Sequence, residues 1–235
     1  MFSFVIPVFN EEENINPLYN ELLAVIRRIN TDYEIIFIND GSFDKSLDII
    51  KTIADSNNNV KYISFRENMG QSAALAAGFH HAKGETIITM DGDLQNNPED
   101  IIEMLKYYGN YDMVTGWREK RMDTLWKKIG SKIGNTFRNI LTHESIHDTG
   151  CSLKIMRADI LKRIKMFKGL HRFLPTLMKL ERANIKEIKV EHRPRMKGVS
   201  KYNNLHRAKE GFFDVLAIRW MIKRHINYKI EEKNV

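Results

Sequence analysis

The chain has 235 residues, 43% of them hydrophobic and 29% charged, enough for one full α/β domain with a buried core. Its single cysteine, Cys151, excludes an intramolecular disulfide and fits a reducing compartment. The net charge of +7 divides into an acidic first hundred residues, with 7 Lys/Arg against 16 Asp/Glu, and a basic remainder with 30 against 14. A basic surface of that kind attracts phosphate, nucleic acid or anionic lipid.

In chain order, Phe2–Val8 reads as a strand; it lacks the basic flank of a signal peptide and is too short to span a bilayer. Glu11–Ile29 reads as a helix with Ile15, Leu18, Leu22, Val25 and Ile29 on one face. Glu11, Glu12 and Glu13 would then sit in its first turn, at the positive helix end. Glu34–Ile38 is a second strand, Asp44–Ala54 a helix, Val60–Phe65 a third strand, Gln71–Ala82 an alanine-rich helix and Glu85–Met90 a fourth strand. Asn97-Pro98-Glu99-Asp100 marks another helix start, because Pro suits the first helical position. This alternation predicts a parallel sheet with right-handed crossovers.

The second half is less regular. Strands are predicted at Tyr111–Trp117, Ser152–Met156 and Ile185–Val190, and helices at Lys127–Leu141, Arg157–Ile164 and Phe173–Arg182. Arg193–Tyr202 is a basic loop, and Asn204–His225 a long helix. Its apolar stretch Phe212–Ile222 is interrupted by Asp214 and Arg219, so no transmembrane helix is expected. Leu205, Phe212, Phe213, Leu216, Ile218 and Trp220 lie among Arg207, Lys209, Arg219, Lys223 and Arg224, a mixture suited either to a membrane surface or to packing on the domain.

Polar clusters follow successive strands, and in open parallel sheets ligands bind at the carboxyl ends of the strands. Asp91-Gly92-Asp93 places two carboxylates one residue apart, where they can share a hard divalent cation with substrate phosphates. In Asn39-Asp40-Gly41-Ser42, Gly41 permits a tight turn, Ser42 and Asp44 cap the next helix, and Asp40 has hydrogen-bonding capacity to spare. Arg66 to Gln71 opens the alanine-rich helix, whose N-terminus is a candidate anion site. Cys151 precedes a strand and reads as a packing residue.

Together, Pro7-Val-Phe-Asn10-Glu11, Asn39-Asp40-Gly41-Ser42-x-Asp44, Arg66-x-Asn68-x-Gly70 and Asp91-x-Asp93-x-Gln95 resemble the family 2 glycosyltransferases. The fold so implied is GT-A: a Rossmann-like, mostly parallel sheet flanked by helices, here followed by a C-terminal amphipathic helix. Gly116-Trp117-Arg118, Asp148-Thr149-Gly150-Cys151 and Gly198-x-Ser200-Lys201-Tyr202 are similar to the branch that glycosylates polyprenyl phosphates, which includes dolichol-phosphate mannosyltransferase and bacterial undecaprenyl-phosphate glycosyltransferases. The resemblance runs from Phe2 to Tyr202. It implies a catalytic domain at 1–202, with a nucleotide-sugar and metal half at 1–100 and an acceptor half at 101–202, and a helix and tail at 203–235.

By this resemblance Pro7, Asn10, Glu11, Asp40, Arg66, Gly70, Asp91, Arg195 and Lys201 bind the nucleotide sugar. Asp91, Asp93 and Gln95 hold Mg²⁺ or Mn²⁺, and Arg118, Lys127 and Ser131 grip the acceptor phosphate. Two positions depart from the family pattern: Asn39 stands where many relatives have Asp, and Lys127 where Arg is commoner, giving a point charge in place of a bidentate fork. The implied reaction is inverting transfer of the sugar to undecaprenyl or dolichyl phosphate, whose phosphate is already a nucleophile. The expected partners are the donor, the lipid acceptor and an anionic membrane surface or a membrane-embedded protein, without nucleic acid; a homo-oligomer is compatible. The expected location is the cytoplasmic face of the membrane, held peripherally. With Asp91, Asp93 and Arg118, Asp148 completes the catalytic set by orienting the acceptor site.

Three other readings compete. A glycosyltransferase acting on a sugar hydroxyl would need a general base, and Asp148 is the candidate. A dinucleotide-binding oxidoreductase would need Gly-x-Gly-x-x-Gly after the first strand, where this chain has Pro7-Val-Phe-Asn-Glu. A nucleic-acid-binding protein would explain the basic half, but no aromatic platform accompanies Arg193, Arg195 and Lys197.

Overall fold

A computed structural model describes residues 1–119, 146–194, 204–226 and 232. The predicted helix Lys127–Leu141 and the site residues Lys127, Ser131, Arg195 and Lys201 lie outside the described residues.

The strands are β1 (Phe2–Val8), β2 (Tyr33–Asn39), β3 (Val60–Ser64), β4 (Thr86–Thr89), β5 (Met113–Trp117), β6 (Lys154–Arg157) and β7 (Ile185–Lys189). They form one sheet in the order β3-β2-β1-β4-β6-β5-β7. All neighbours run parallel except β6, which is antiparallel to both β4 and β5. The described helices are α1 (Ile15–Ile29), α2 (Ser46–Ser56), α3 (Gln71–His81), α4 (Asp100–Leu105), α5 (Ala158–Leu161), α6 (Leu174–Leu180) and α7 (Asn204–Arg224), with a 3₁₀ turn at Leu170–Phe173.

Alternation along the strands builds two cores. Phe4, Ile6, Phe37, Ile88, Val114 and Ile155 face α1, α2 and α4, while Val5, Ile36, Ile38, Ile87, Met113 and Met156 face α3, α5 and α6. Each such side chain contributes roughly 1.5–3 kcal/mol by its burial. The alanine-rich character of α3 has a packing reason. A Cβ on Gly78 would lie 2.3 Å from Val5 Cγ1 and 2.9 Å from Ile38 Cδ1, so the helix lies against β1 and β2 at a distance that larger residues forbid.

Several boundaries differ from expectation. α1 begins at Ile15, and Glu11 to Glu13 form a turn before it. The cause is cross-loop bonding: Glu11 N–H donates to Ser46 Oγ at 2.9 Å and Glu12 N–H to Asp44 Oδ2 at 3.2 Å, which holds this segment out of the helix. The predicted helix Arg157–Ile164 contracts to α5, because Arg157 remains in β6. The predicted helix Phe173–Arg182 becomes the 3₁₀ turn and α6, with Pro175 in the first turn of α6 and Arg182 left-handed (φ 65°) just beyond it.

α7 docks through Val215 and Ile218, which pack with Leu170, Phe173 and Leu177. Ile218 is thus a core residue and leaves the proposed membrane-facing set. Phe212, Phe213, Leu216 and Trp220 remain exposed. Among the described residues no helix is long and apolar enough to cross a membrane.

Candidate active site

The parallel strands β1, β2, β3 and β4 all end at one edge, and β6, running the other way, begins there. Loops from both halves of the chain therefore converge at that edge. The β1 and β2 loops are tied to each other. Asn10, with φ 52°, donates its N–H to Ser42 Oγ and accepts from Phe43 N–H with Oδ1, both at 2.9 Å. Glu11 accepts Asn14 Nδ2 at 2.6 Å, and Glu12 accepts Lys45 N–H at 2.8 Å. Ser42 therefore serves Asn10 and does not cap α2. Asp44 accepts Ser46 N–H at 2.9 Å, just inside the helix start. Pro7 lies next to this network, its carbonyl beneath the Asp91 turn: a Cβ on Gly92 would sit 3.3 Å from Pro7 O.

Asp40 is 4% exposed, and both its oxygens are engaged. It accepts Met69 N–H at 2.7 Å, Gly70 N–H at 3.0 Å and Asn68 Nδ2 at 3.0 Å. The spare capacity expected of Asp40 is absent, because the β3–α3 loop folds over it. Its carboxylate also takes the place foreseen for an external anion before α3, where Gly70 is left-handed (φ 87°). Burial raises the Asp40 pKa, against the bonds from Met69 and Gly70. Gly41 is required at φ 67°, since a Cβ there would lie 2.3 Å from Glu67 C. Arg66 is exposed and forms no ion pair among the described residues.

Asp91 and Asp93 follow β4. Asp91 Oδ1 accepts Gln71 Nε2 at 2.8 Å, which fixes the carboxylate from the first residue of α3. Burial, then the Asp93 charge, pushes the Asp91 pKa up to about 6, opposed by the Ser152 hydroxyl, Arg118 and Lys154. Asp93 Oδ1 accepts Gln95 N–H at 3.2 Å, and Leu94 between them is left-handed (φ 60°), a strained turn held by the Gln95 carbonyl on Arg193 N–H at 2.9 Å. Among the described residues no group of three or more His, Cys, Asp or Glu side chains gathers to hold a metal ion. Two carboxylates that repel each other still fit a cation whose remaining ligands are phosphate oxygens and water, as for Mg²⁺.

Arg118, just after β5, forks onto Asp148: Nε to Oδ2 at 2.7 Å and Nη2 to Oδ1 at 3.0 Å, with the Arg118 N–H on Oδ2 at 3.3 Å. Burial alone would lower the Arg118 pKa, but the hydrogen bonds and charge of Asp148 outweigh it, and the pKa is raised. Asp148 is 5% exposed, and its backbone N–H donates to Glu187 Oε1 at 3.1 Å. The Asp148 carboxylate thereby fixes the orientation of the Arg118 guanidinium.

Sequence reasoning missed three participants. Gln71 orients Asp91. Asn96 is buried and accepts Ser152 Oγ at 2.6 Å, joining the Asp91 loop to the start of β6. Lys154, 3% exposed, feels both Asp91 and Asp148, and burial lowers its pKa. Its signal was a lone charge inside the apolar run Leu153–Met156. Cys151 is packing as expected: it is buried in the core, and burial pushes its thiol pKa up.

Known proteins resemble both the sequence and the fold. A dodecaprenyl-phosphate galacturonate synthase from Rhizobium johnstonii is 36% identical over 227 residues, 94% of this chain and 67% of that protein. An undecaprenyl-phosphate 4-deoxy-4-formamido-L-arabinose transferase from Photorhabdus laumondii is 37% identical over 203 residues, 86% of this chain. The match spans 62% of that transferase's length. Among solved structures, glucosyl-3-phosphoglycerate synthase from Mycobacterium tuberculosis with Mn²⁺ and UDP-glucose superposes with a TM-score of 0.69 at 16% identity, covering 93% of this chain and 78% of that one. The mixed, mostly parallel sheet with flanking helices is the GT-A architecture. The model of "Glycosyl transferase family 2" matches residues 3–165, and the chain belongs to that family.

Proposed function

We propose that the chain transfers a sugar from a nucleotide sugar to a polyprenyl phosphate, with inversion, at the cytoplasmic face of a membrane. The observation that carries the reading is one sheet edge where the Asp91–Asp93 pair stands within electrostatic reach of the buried cations Arg118 and Lys154. Relatives named for dodecaprenyl- and undecaprenyl-phosphate acceptors support the lipid phosphate.

Asp91 and Asp93, with Gln95, are the residues that would hold Mg²⁺ or Mn²⁺; when bound, the cation neutralises charge on the leaving nucleoside diphosphate. Gln71 holds the Asp91 carboxylate in place beforehand. The β1 and β2 loops, with Pro7, Asn10, Glu11 and Asp40, form the wall for base and ribose. Arg66 and Gly70, beyond them, belong to the donor side. Arg118 supplies positive charge to the acceptor phosphate. A phosphate monoester is largely dianionic near neutral pH, its second pKa being about 6, so attack at the anomeric carbon needs no protein base. Asp148, already forked to Arg118, then orients and does not abstract a proton. Positioning and electrostatics carry the catalysis. Outside the site, the exposed Phe212, Phe213, Leu216 and Trp220 on α7 beside Arg219 and Lys223 would rest on an anionic bilayer.

The test is a screen of radiolabelled nucleotide sugars against undecaprenyl phosphate, with Mg²⁺, Mn²⁺ or chelator. Label in a lipid-linked sugar, dependent on the cation, is expected. Label appearing only in glycan hydroxyls would overturn the acceptor assignment and return Asp148 to the role of base.

A further inference from the structure

Lys154 lies on β6 in register with Thr89 on one side and Thr115 on the other. The three side chains project from the same face of the sheet, the face covered by α3 and α6. The Thr89 hydroxyl donates to Ser152 O at 2.7 Å. The Thr115 hydroxyl is buried and has no partner among the described residues. The Lys154 ammonium feels Asp148 and Asp91 but forms no ion pair among the described residues. Its two potential counter-ions are otherwise engaged: Asp148 holds the fork of Arg118, and Asp91 accepts Gln71. Buried charges persist in proteins when something pairs with them. An unpaired ammonium beside an orphaned hydroxyl, at the edge where phosphates bind, lacks one component, an oxyanion.

We propose that Lys154 Nζ, together with the Thr115 hydroxyl, binds a phosphoryl oxygen of a substrate. The inference rests on the glycosyl-transfer reading above and adds a ligand-contacting residue to it. The oxygen belongs either to the diphosphate of the donor or to the phosphate of the acceptor; the chemistry is the same, a charge-assisted hydrogen bond to a phosphate. On the donor diphosphate it would strengthen as negative charge builds up there during transfer; on the acceptor phosphate, which gives up charge, it would position the nucleophile.

The test compares wild type with Lys154→Met and Thr115→Val. Calorimetry follows binding of uridine diphosphate with Mn²⁺ and, separately, of farnesyl phosphate; thermal unfolding is followed alongside. Lys154→Met should melt at or above the wild-type midpoint, because an apolar side chain of similar length replaces a buried charge. It should lose affinity for one probe by about 30-fold, the magnitude of a charge-assisted bond, and the probe affected identifies the source of the oxygen. Thr115→Val should weaken the same probe by about 3-fold to 10-fold. Both probes bound by Lys154→Met within threefold of wild type would overturn the inference. So would a lower melting midpoint, which would make the lysine a structural counter-ion of Asp91 and Asp148. If wild type glycosylates no lipid phosphate yet diphosphate binding still depends on Lys154, the acceptor assignment falls and the Lys154 site stands.

Discussion

The two halves of the sheet furnish the site in different ways. From β3 to β4 the strands are parallel, and the polar groups sit on loops bonded to one another: Asn10 to Ser42, Glu12 to Lys45, Asp40 to Met69 and Gly70. From β6 to β7 the charged groups come from the strand ends and are largely buried, Arg118 in its fork with Asp148 and Lys154 inside the sheet. The acidic half thus offers the Asp91 and Asp93 carboxylates at a partly open surface, where the proposed cation and nucleotide would bind. The basic half stores positive charge in a low-dielectric setting, where each charge acts at greater strength. The antiparallel β6 makes this possible, since its first residues reach the edge that parallel strands reach with their last.

Asp93→Ala attacks the acidic half most directly. Loss of a metal-binding carboxylate should lower kcat by about 1,000-fold, roughly 4 kcal/mol of barrier, with chelation producing a comparable loss in wild type. Steady-state rates over a Mn²⁺ titration measure both, and activity that survives exhaustive chelation would remove the metal from the reading. In the basic half, Arg118→Ala strands the buried Asp148 carboxylate. A stability loss of about 3–5 kcal/mol is expected in denaturant unfolding. The KM for lipid phosphate should rise more than that for the nucleotide sugar; equal rises would separate Arg118 from the acceptor.

The acidic pair also predicts a pH dependence. Asp91 titrates at about 6 when folded, against an ordinary value of 3.8. Between those values the native state keeps a proton that the unfolded chain has lost. Stability of the metal-free protein should therefore fall as pH rises from about 4 to about 6, by on the order of 3 kcal/mol, and then level off. Asp91→Asn should flatten that slope in chemical denaturation, and Mn²⁺ binding should weaken below about pH 6 as protons compete. The smallest effect belongs to α7. Trp220→Ala should change stability by less than about 0.5 kcal/mol while reducing flotation with anionic vesicles, whereas Ile218→Ala should cost about 2–5 kcal/mol. Unchanged flotation of Trp220→Ala in low salt would assign the exposed face another use.

The acidic half was the more legible in sequence. Its strands alternate with amphipathic helices, and each polar cluster falls where a parallel strand must end, so Asp91, Asp93 and Asp40 were visible as a set. The β1–α1 turn was not, because the bonds that keep Glu11 to Glu13 out of the helix come from residues more than thirty positions away. Side-chain alternation is the same in either strand direction, so nothing in Ser152–Met156 announced that β6 runs antiparallel. Lys154 was hidden for a related reason, since its meaning depends on which strands lie beside it. Asp40 was read as an unoccupied acceptor because its partners, the amides of Met69 and Gly70, carry no side-chain signature.

The Asp40 clamp has a thermodynamic consequence. The β3–α3 loop is the kind of segment that usually loses freedom only when a ligand arrives, and that ordering is subtracted from the affinity. Here a buried carboxylate holds two successive amides in advance. The amide hydrogens of Met69 and Gly70 should therefore exchange with solvent as slowly as those of the neighbouring strands. On the proposed assignment, the wall around the nucleotide is then rigid from the start, and donor binding on this side would proceed closer to docking than to folding.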